Sequence, residues 1–142
     1  MASVKQLLEA KGHDIWSIDP DASVYDAIEM MADKEIGALV VMEGDSLVGV
    51  LSERDYARKV VLQGRSSKKT KIREIMTSRV AYAKPEQSVE ECMAMMTEKR
   101  VRHLPVLEGA RLLGLISIGD LVKAIIEEQK HTIRALEQYI SG

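Results

Sequence analysis

The chain repeats itself. Moved by 65 positions, Pro20 falls on Pro85, Ser23-Val24 on Ser88-Val89, Met30-Met31 on Met95-Met96, and Gly49, Ser52 and Asp55 on Gly114, Ser117 and Asp120. Fourteen of the thirty-eight positions from 18 to 55 are identical across the shift, with no gap. A repeat is the strongest constraint a sequence can place on its fold, because both copies must form the same unit. A copy of about sixty residues buries too little apolar surface to stand well alone. The expectation is two copies packed face to face about a pseudo-two-fold axis.

Each copy spells out the same elements. Ser23 and Ser88 precede helical patterns with Asp26 and Glu91 three residues on, the S-x-x-[DE] form of a capping box. Val24, Ala27, Ile28 and Met31, like Val89, Cys92, Met93 and Met96, then recur at helical spacing, so the methionines belong to core faces. Two apolar runs around Gly44, and two around Gly109, predict β-hairpins, and a second helix starts near Arg54 and near Gly119. The fold class is therefore α+β, two β-α-β-β-α repeats. Residues 1–62 hold an N-terminal helix and the first repeat, 63–71 a basic linker, 72–126 the second repeat, and 127–142 an extension of the last helix. Val122, Ile125, Ile126, Ile133, Leu136 and Ile140 form one face of that helix and continue past the repeat, which predicts contact with a second subunit, a homodimer.

Composition narrows the function classes. No run of apolar residues is long enough to span a membrane, and the charged start MASVKQLLEAKGHD does not read as a secretory signal. The single cysteine, Cys92, suits a reducing compartment, so the expected location is the cytoplasm. Three scattered histidines lack metal-ligand spacing and no nucleophile or phosphate-loop motif occurs, so neither a catalytic nor a metal site is expected. Seven basic residues and no acidic one lie between Tyr56 and Arg73. This run reads as a solvated linker, as an anion-binding border, or as a weak nucleic-acid or protein contact; with Tyr56 its only aromatic, it argues against specific nucleic-acid binding.

The repeated S-x-x-D, Ser52–Asp55 and Ser117–Asp120, carries the chemistry. Serine caps the following helix and the aspartate favours its first turn. The same pair can also face a ligand, the carboxylate accepting from both hydroxyls of a ribose. Arg54, Arg102 and His103 supply positive charge for a phosphate that Asp55 alone would repel.

SVYDAIEMM, IGALVV, LVGVLSERD, EIMTSRV, SVEECMAMM, RHLPVL and LLGLISIGDLV together resemble the cystathionine-β-synthase-type (CBS) domain, present twice as a Bateman module. The resemblance implies adenosyl ligands: AMP, ADP, ATP, NAD(H) or S-adenosylmethionine. It implies a first site of Thr77, Val80, Ala81 and Tyr82 with Ser52, Arg54 and Asp55, closed by Arg102, His103, Pro105, Gly37 and Ala38. A second combines Trp16, Ser17 and Ile18 with Ser117, Gly119 and Asp120, where Gly119 replaces Arg54 and the positive charge is thinner. The implied function is a non-catalytic regulatory sensor with no obligatory cofactor. Ligand biases the orientation of the repeats, and a protein effector, which the sequence does not name, reads that bias in trans.

Overall fold

Both first helices start where the serines predict. The computed structural model, which describes residues 2–141, places α1 at Val4–Lys11, β1 at Ser17–Ile18 and α2 at Val24–Lys34 in the first half of the chain. Ser23 accepts the Asp26 N–H at 3.1 Å, and Ser88, ahead of α4 (Val89–Lys99), accepts the Glu91 N–H at 3.0 Å. Glu91 returns a bond to the Ser88 N–H, completing the capping box. Each stripe is buried as the spacing requires: Val24, Ala27 and Met31 in α2, Val89, Cys92 and Met96 in α4. Both helices end on a left-handed residue that is not glycine, Glu35 and Arg100, at φ 54° and 55°.

The hairpins follow. β2 (Ala38–Glu43) pairs antiparallel with β3 (Ser46–Ser52), and β4 (His103–Glu108) with β5 (Arg111–Ser117); the register shifts at the same place in each, after Val41 and after Val106. Gly44 and Gly109 turn the chain, both at φ 62°. In the first copy β1 lies parallel to β2. The matching strand of the second copy shrinks to a single bridge, Ala83 to Val106. Pro105 explains the loss. Its counterpart Val40 donates its N–H to the Trp16 carbonyl at 3.3 Å, and proline has no N–H to give. The second helix of the first copy, α3 (Glu53–Tyr56), runs on into a π-helical turn, Ala57–Val61; that of the second is α5, Ile118–Ser141.

The described residues form two compact units: Ile15–Val80, and the residues up to Asp14 together with those from Ala81 onward. The N-terminal helix thus packs with the second copy, although it precedes the first. Residues 70–76 do the matching service for the first copy. Val24 N–H donates to the Thr70 carbonyl at 2.9 Å as Val89 N–H donates to Ala2 at 3.0 Å; Ile72 N–H reaches Ala22 at 3.0 Å as Val4 N–H reaches Gln87 at 2.8 Å. Arg73 N–H to Pro20 and Lys5 N–H to Pro85 complete the correspondence, at an offset of 68. Each copy is therefore finished by the segment that precedes the other copy. Val4, Leu7 and Leu8 enter the core of Val89, Met96, Leu104 and Ile116, while Ile72 and Ile75 enter that of Val24, Met31, Leu39 and Leu51. The stretch expected as a linker, 63–71, is mostly exposed, but Thr70 at its end is 3 % exposed and its hydroxyl donates to the Ser66 carbonyl.

Leu121, at the start of α5, is buried, and Ala124 and Ile125 pack against the same core. Beyond that point Ile126, Ile133, Leu136 and Ile140 are exposed, from 45 to 82 %.

Candidate functional site

Both S-x-x-D motifs sit where a hairpin's last strand turns into a helix. Ser52 and Ser117 cap that helix: each hydroxyl accepts the N–H of its aspartate at 3.1 Å. Each carboxylate answers through Oδ2, Asp55 accepting the Ser52 N–H at 3.0 Å and Asp120 the Ser117 N–H at 2.8 Å. Such reciprocal bonds hold a carboxylate in one orientation without a large protein around it. Asp55 and Asp120 are 17 and 24 % exposed, partly desolvated yet still reached by solvent.

The neighbours of each motif come from the preceding strand. Ala38 pairs with Ser52, and Glu53 N–H donates to the Gly37 carbonyl at 3.0 Å. Thr77 joins from the segment after the basic stretch, exchanging backbone bonds with Val50 at 3.0 and 2.9 Å. In the other unit His103 pairs with Ser117, and Ile118 N–H donates to the Arg102 carbonyl at 2.9 Å. Arg102 and His103 thus lie across the hairpin from Ser117 and Ile118, at the start of the second S-x-x-D. Of the residues expected at the first site, Gly37, Ala38, Ser52, Arg54, Asp55, Thr77 and Val80 fall in the Ile15–Val80 unit; Ala81, Tyr82, Arg102, His103 and Pro105 fall in the other. The second set divides in the same way, Trp16, Ser17 and Ile18 in the one and Ser117, Gly119 and Asp120 in the other. Trp16 is 40 % exposed under the Lys34 ammonium, 4.3 Å from the ring centroid, and Tyr82 is 44 % exposed.

Two residues at the motifs were not expected. Lys59 Nζ lies 3.3 Å from Asp55 Oδ1 and donates to the Ile75 carbonyl at 2.9 Å. Lys11 Nζ lies 2.6 Å from Asp120 Oδ2 and donates to the Leu115 carbonyl at 2.7 Å. Burial pulls the Asp120 pKa upward, but the Lys11 hydrogen bond and the Ser117 N–H outweigh it and hold the carboxyl below its ordinary value. Lys59 was legible as the i+4 partner of Asp55; Lys11, 109 residues from Asp120, was not.

The basic run is largely spoken for. Arg65 pairs with Glu74, Arg73 with Asp21 and Glu43, and Lys68 covers the Tyr25 ring. No group of three or more histidine, cysteine or acidic residues among the described residues is placed to hold a metal ion, and no described helix is long and apolar enough to cross a membrane.

A family model described as "CBS domain" matches twice, over residues 4–62 and 72–127. The chain is 41 % identical over 138 residues to the CBS domain-containing protein CBSX3, mitochondrial, of Arabidopsis thaliana, covering 94 % of this chain and 66 % of that one, just under two thirds of its length. A solved protein with CBS domains from Burkholderia ambifaria MC40-6 is 57 % identical, with a TM-score of 0.87 over 90 % of this chain and 96 % of its own. The CBS domain pair of protein MJ0100, solved in complex with 5'-methylthioadenosine and S-adenosyl-L-methionine, shares the fold at a TM-score of 0.80 and 22 % identity, covering 90 % of this chain and 98 % of its own.

Proposed function

The chain belongs to the CBS domain family, and from that premise we propose that it is a regulatory module that binds an adenine nucleotide, AMP, ADP, ATP or NAD(H), and performs no catalysis itself. The observation that carries this reading is the S-x-x-D carboxylate, fixed twice by the same reciprocal bonds and left partly open. A carboxylate so held is prearranged to accept both hydroxyls of a ribose, with little orientation entropy left to lose on binding. The adenosyl ligands in the MJ0100 complex support the class of ligand. Arg54, Arg102 and His103 add the charge a phosphate needs, and the expected backbone contacts to adenine come from Thr77 to Tyr82 and from Trp16 to Ile18.

Ligand that prefers one arrangement of the module shifts its population toward that arrangement, by no more than its differential affinity. A protein effector in the cytoplasm reads the shift in trans. The module acts as a homodimer: Val122, Ile126, Ile133, Leu136 and Ile140 are exposed on α5 at intervals of four, seven, three and four, the a/d spacing of a helix seam.

Titration calorimetry with AMP, ATP, NAD, NADH and S-adenosylmethionine tests the ligand. The expected result is saturable binding that Asp55→Ala weakens about ten-fold or more, the scale of a charge-assisted hydrogen bond. Wild-type affinity in that variant sinks the assignment of Asp55. Light scattering tests the dimer, and a monomer at micromolar concentration counts against it.

A further inference from the structure

We propose that Lys59 and Lys11 are ligand-site residues, each the cationic half of a carboxylate–ammonium receptor for a vicinal diol, the ribose of the nucleotide. The inference rests on the function just proposed and adds to it two residues that the motif does not contain.

The two lysines reach the same place by different routes. Lys59 follows Asp55 by four residues in the same helix. Its counterpart in the second copy is Ala124, which packs in the core and carries no charge. That copy obtains its ammonium from α1 instead, where Lys11 approaches Asp120 across 109 residues. An inherited repeat would have kept one position. Two unrelated positions that deliver the same group to the same carboxylate show that the place itself requires a cation.

Neutralising a half-buried carboxylate is one such requirement, but the geometry goes further. Each ammonium is anchored to a backbone carbonyl, Ile75 for Lys59 and Leu115 for Lys11, so it is positioned rather than merely attracted. An ammonium has three donors, and these contacts use two. The lysines are 45 and 39 % exposed, so the third donor reaches solvent. On the carboxylate side, the serine bonds to Asp55 fall on Oδ2, leaving Oδ1 to Lys59 with a lone pair to spare; on Asp120 the Lys11 and Ser117 bonds both fall on Oδ2. Each pair thus presents an open acceptor beside an open donor at no net charge. A phosphate gains little from that pair. A cis-diol fits it, one hydroxyl donating to the carboxylate while the oxygen of a hydroxyl accepts from the ammonium. A sugar lacking one hydroxyl leaves one half unmatched.

Calorimetry with AMP, 2'-deoxy-AMP and 3'-deoxy-AMP provides the test, each lysine examined with only its own motif intact: Lys59→Met beside Asp120→Ala, and Lys11→Met beside Asp55→Ala. With the lysine present, AMP is expected to bind about ten-fold or more tighter than at least one deoxy analogue. With methionine, AMP should weaken by about that factor while the analogue changes less than about three-fold, so discrimination collapses. Equal losses for all three ligands, or none, reduce the lysines to structural neutralisers and overturn the proposal, as does a parent that binds AMP and both analogues alike. If the wild-type chain binds no nucleotide, the functional reading itself fails and this inference falls with it. Lys59→Arg guards against a folding artefact, since it keeps the charge and should retain part of the discrimination.

Discussion

Gly49 and Gly114 occupy equivalent positions in β3 and β5, yet alanine should not cost the same at both. A Cβ on Gly49 would stand 2.7 Å from Met76 Sδ, 3.0 Å from Met76 Cγ and 3.0 Å from the Thr77 carbonyl oxygen. Ordinary contact between such atoms is about 3.5–4.0 Å, so the overlap approaches 1 Å. The methionine can swing aside; the carbonyl cannot, because Thr77 is tied to Val50 through both its N–H and its C=O. A Cβ on Gly114 would meet only the tip of Leu8, Cδ2 at 2.8 Å, with the next atoms at 3.6 and 3.8 Å. Overpacking typically costs about 1–3 kcal/mol, and loss of glycine's freedom in the unfolded chain returns about 0.4–1 kcal/mol. Gly49→Ala should therefore lose about 1–2 kcal/mol and Gly114→Ala about 1 kcal/mol or less. Urea unfolding, with m near 2 kcal/mol per molar for a chain this size, would read the first as a midpoint lowered by roughly 0.5–1 M. Leu8→Ala should relieve Gly114→Ala of its clash, while Met76→Ala should relieve Gly49→Ala only in part. Equal losses at the two glycines, or a Gly49→Ala as stable as wild type, would refute the close approach of residues 76–77 to β3.

Cys92 is fully buried in α4, and burial, aided by the neighbouring Glu91 charge, pushes its thiol up to about 11. A disulfide reagent at pH 8 should leave it untouched in the folded protein and titrate one thiol after unfolding; prompt native reaction would contradict the packing. Glu35→Gly and Arg100→Gly should each raise stability by about 0.5 kcal/mol, since the left-handed conformation costs an L-residue about 1–2 kcal/mol and glycine's entropy takes back about 0.5–1 kcal/mol; a lowered urea midpoint would count against it. Asp120 has a folded pKa below the ordinary 3.8, so its ion pair adds stability that is complete above the unfolded value and is lost as pH falls through the folded one. Asp120→Asn should therefore be less stable than wild type near neutrality and show a smaller loss on acidification below about pH 4, read by thermal melts across pH 2–6; parallel curves would dismiss the Lys11 pair.

What was legible in the sequence was local or repeated. Capping serines, helical stripes and glycine turns are decided within a few residues, and the offset of 65 doubles each signal, so the α+β elements fell where the spacing put them. The opening strand of the second copy failed through a single atom, the missing hydrogen on Pro105, whose partner strand lies some twenty residues away and whose role is visible only once Val40 and Trp16 are seen bonded. In the basic stretch the linker expected at 63–71 is mostly exposed, and what stayed illegible is the backbone service of its end. Its charges are real, but Thr70 and Ile72 within it are buried because α2 leaves N–H groups at its first turn that Thr70 and Ser67 carbonyls satisfy. A carbonyl carries no side-chain signature, so no composition argument can find it.

The offset of 68 between residues 2–8 and 70–76 was hidden because no residue is the same across it and only the type is kept: Val4 answers Ile72, Lys5 answers Arg73, Leu7 answers Ile75, Leu8 answers Met76. What the two segments share is backbone bonding and apolar side chains sent into the core, Leu8 and Met76 each lying over a glycine. Here the exchange has a chemical consequence. Because α1 is held against the second copy, its last turn carries Lys11 to Asp120; because residues 72–76 are held against the first, the Ile75 carbonyl is there to anchor Lys59. The cation beside each S-x-x-D therefore depends on a segment that belongs, in sequence, to the other repeat. A copy cut out at the repeat boundaries would keep its motif and lose this arrangement, so the smallest piece able to present either receptor is a unit with its lead-in attached.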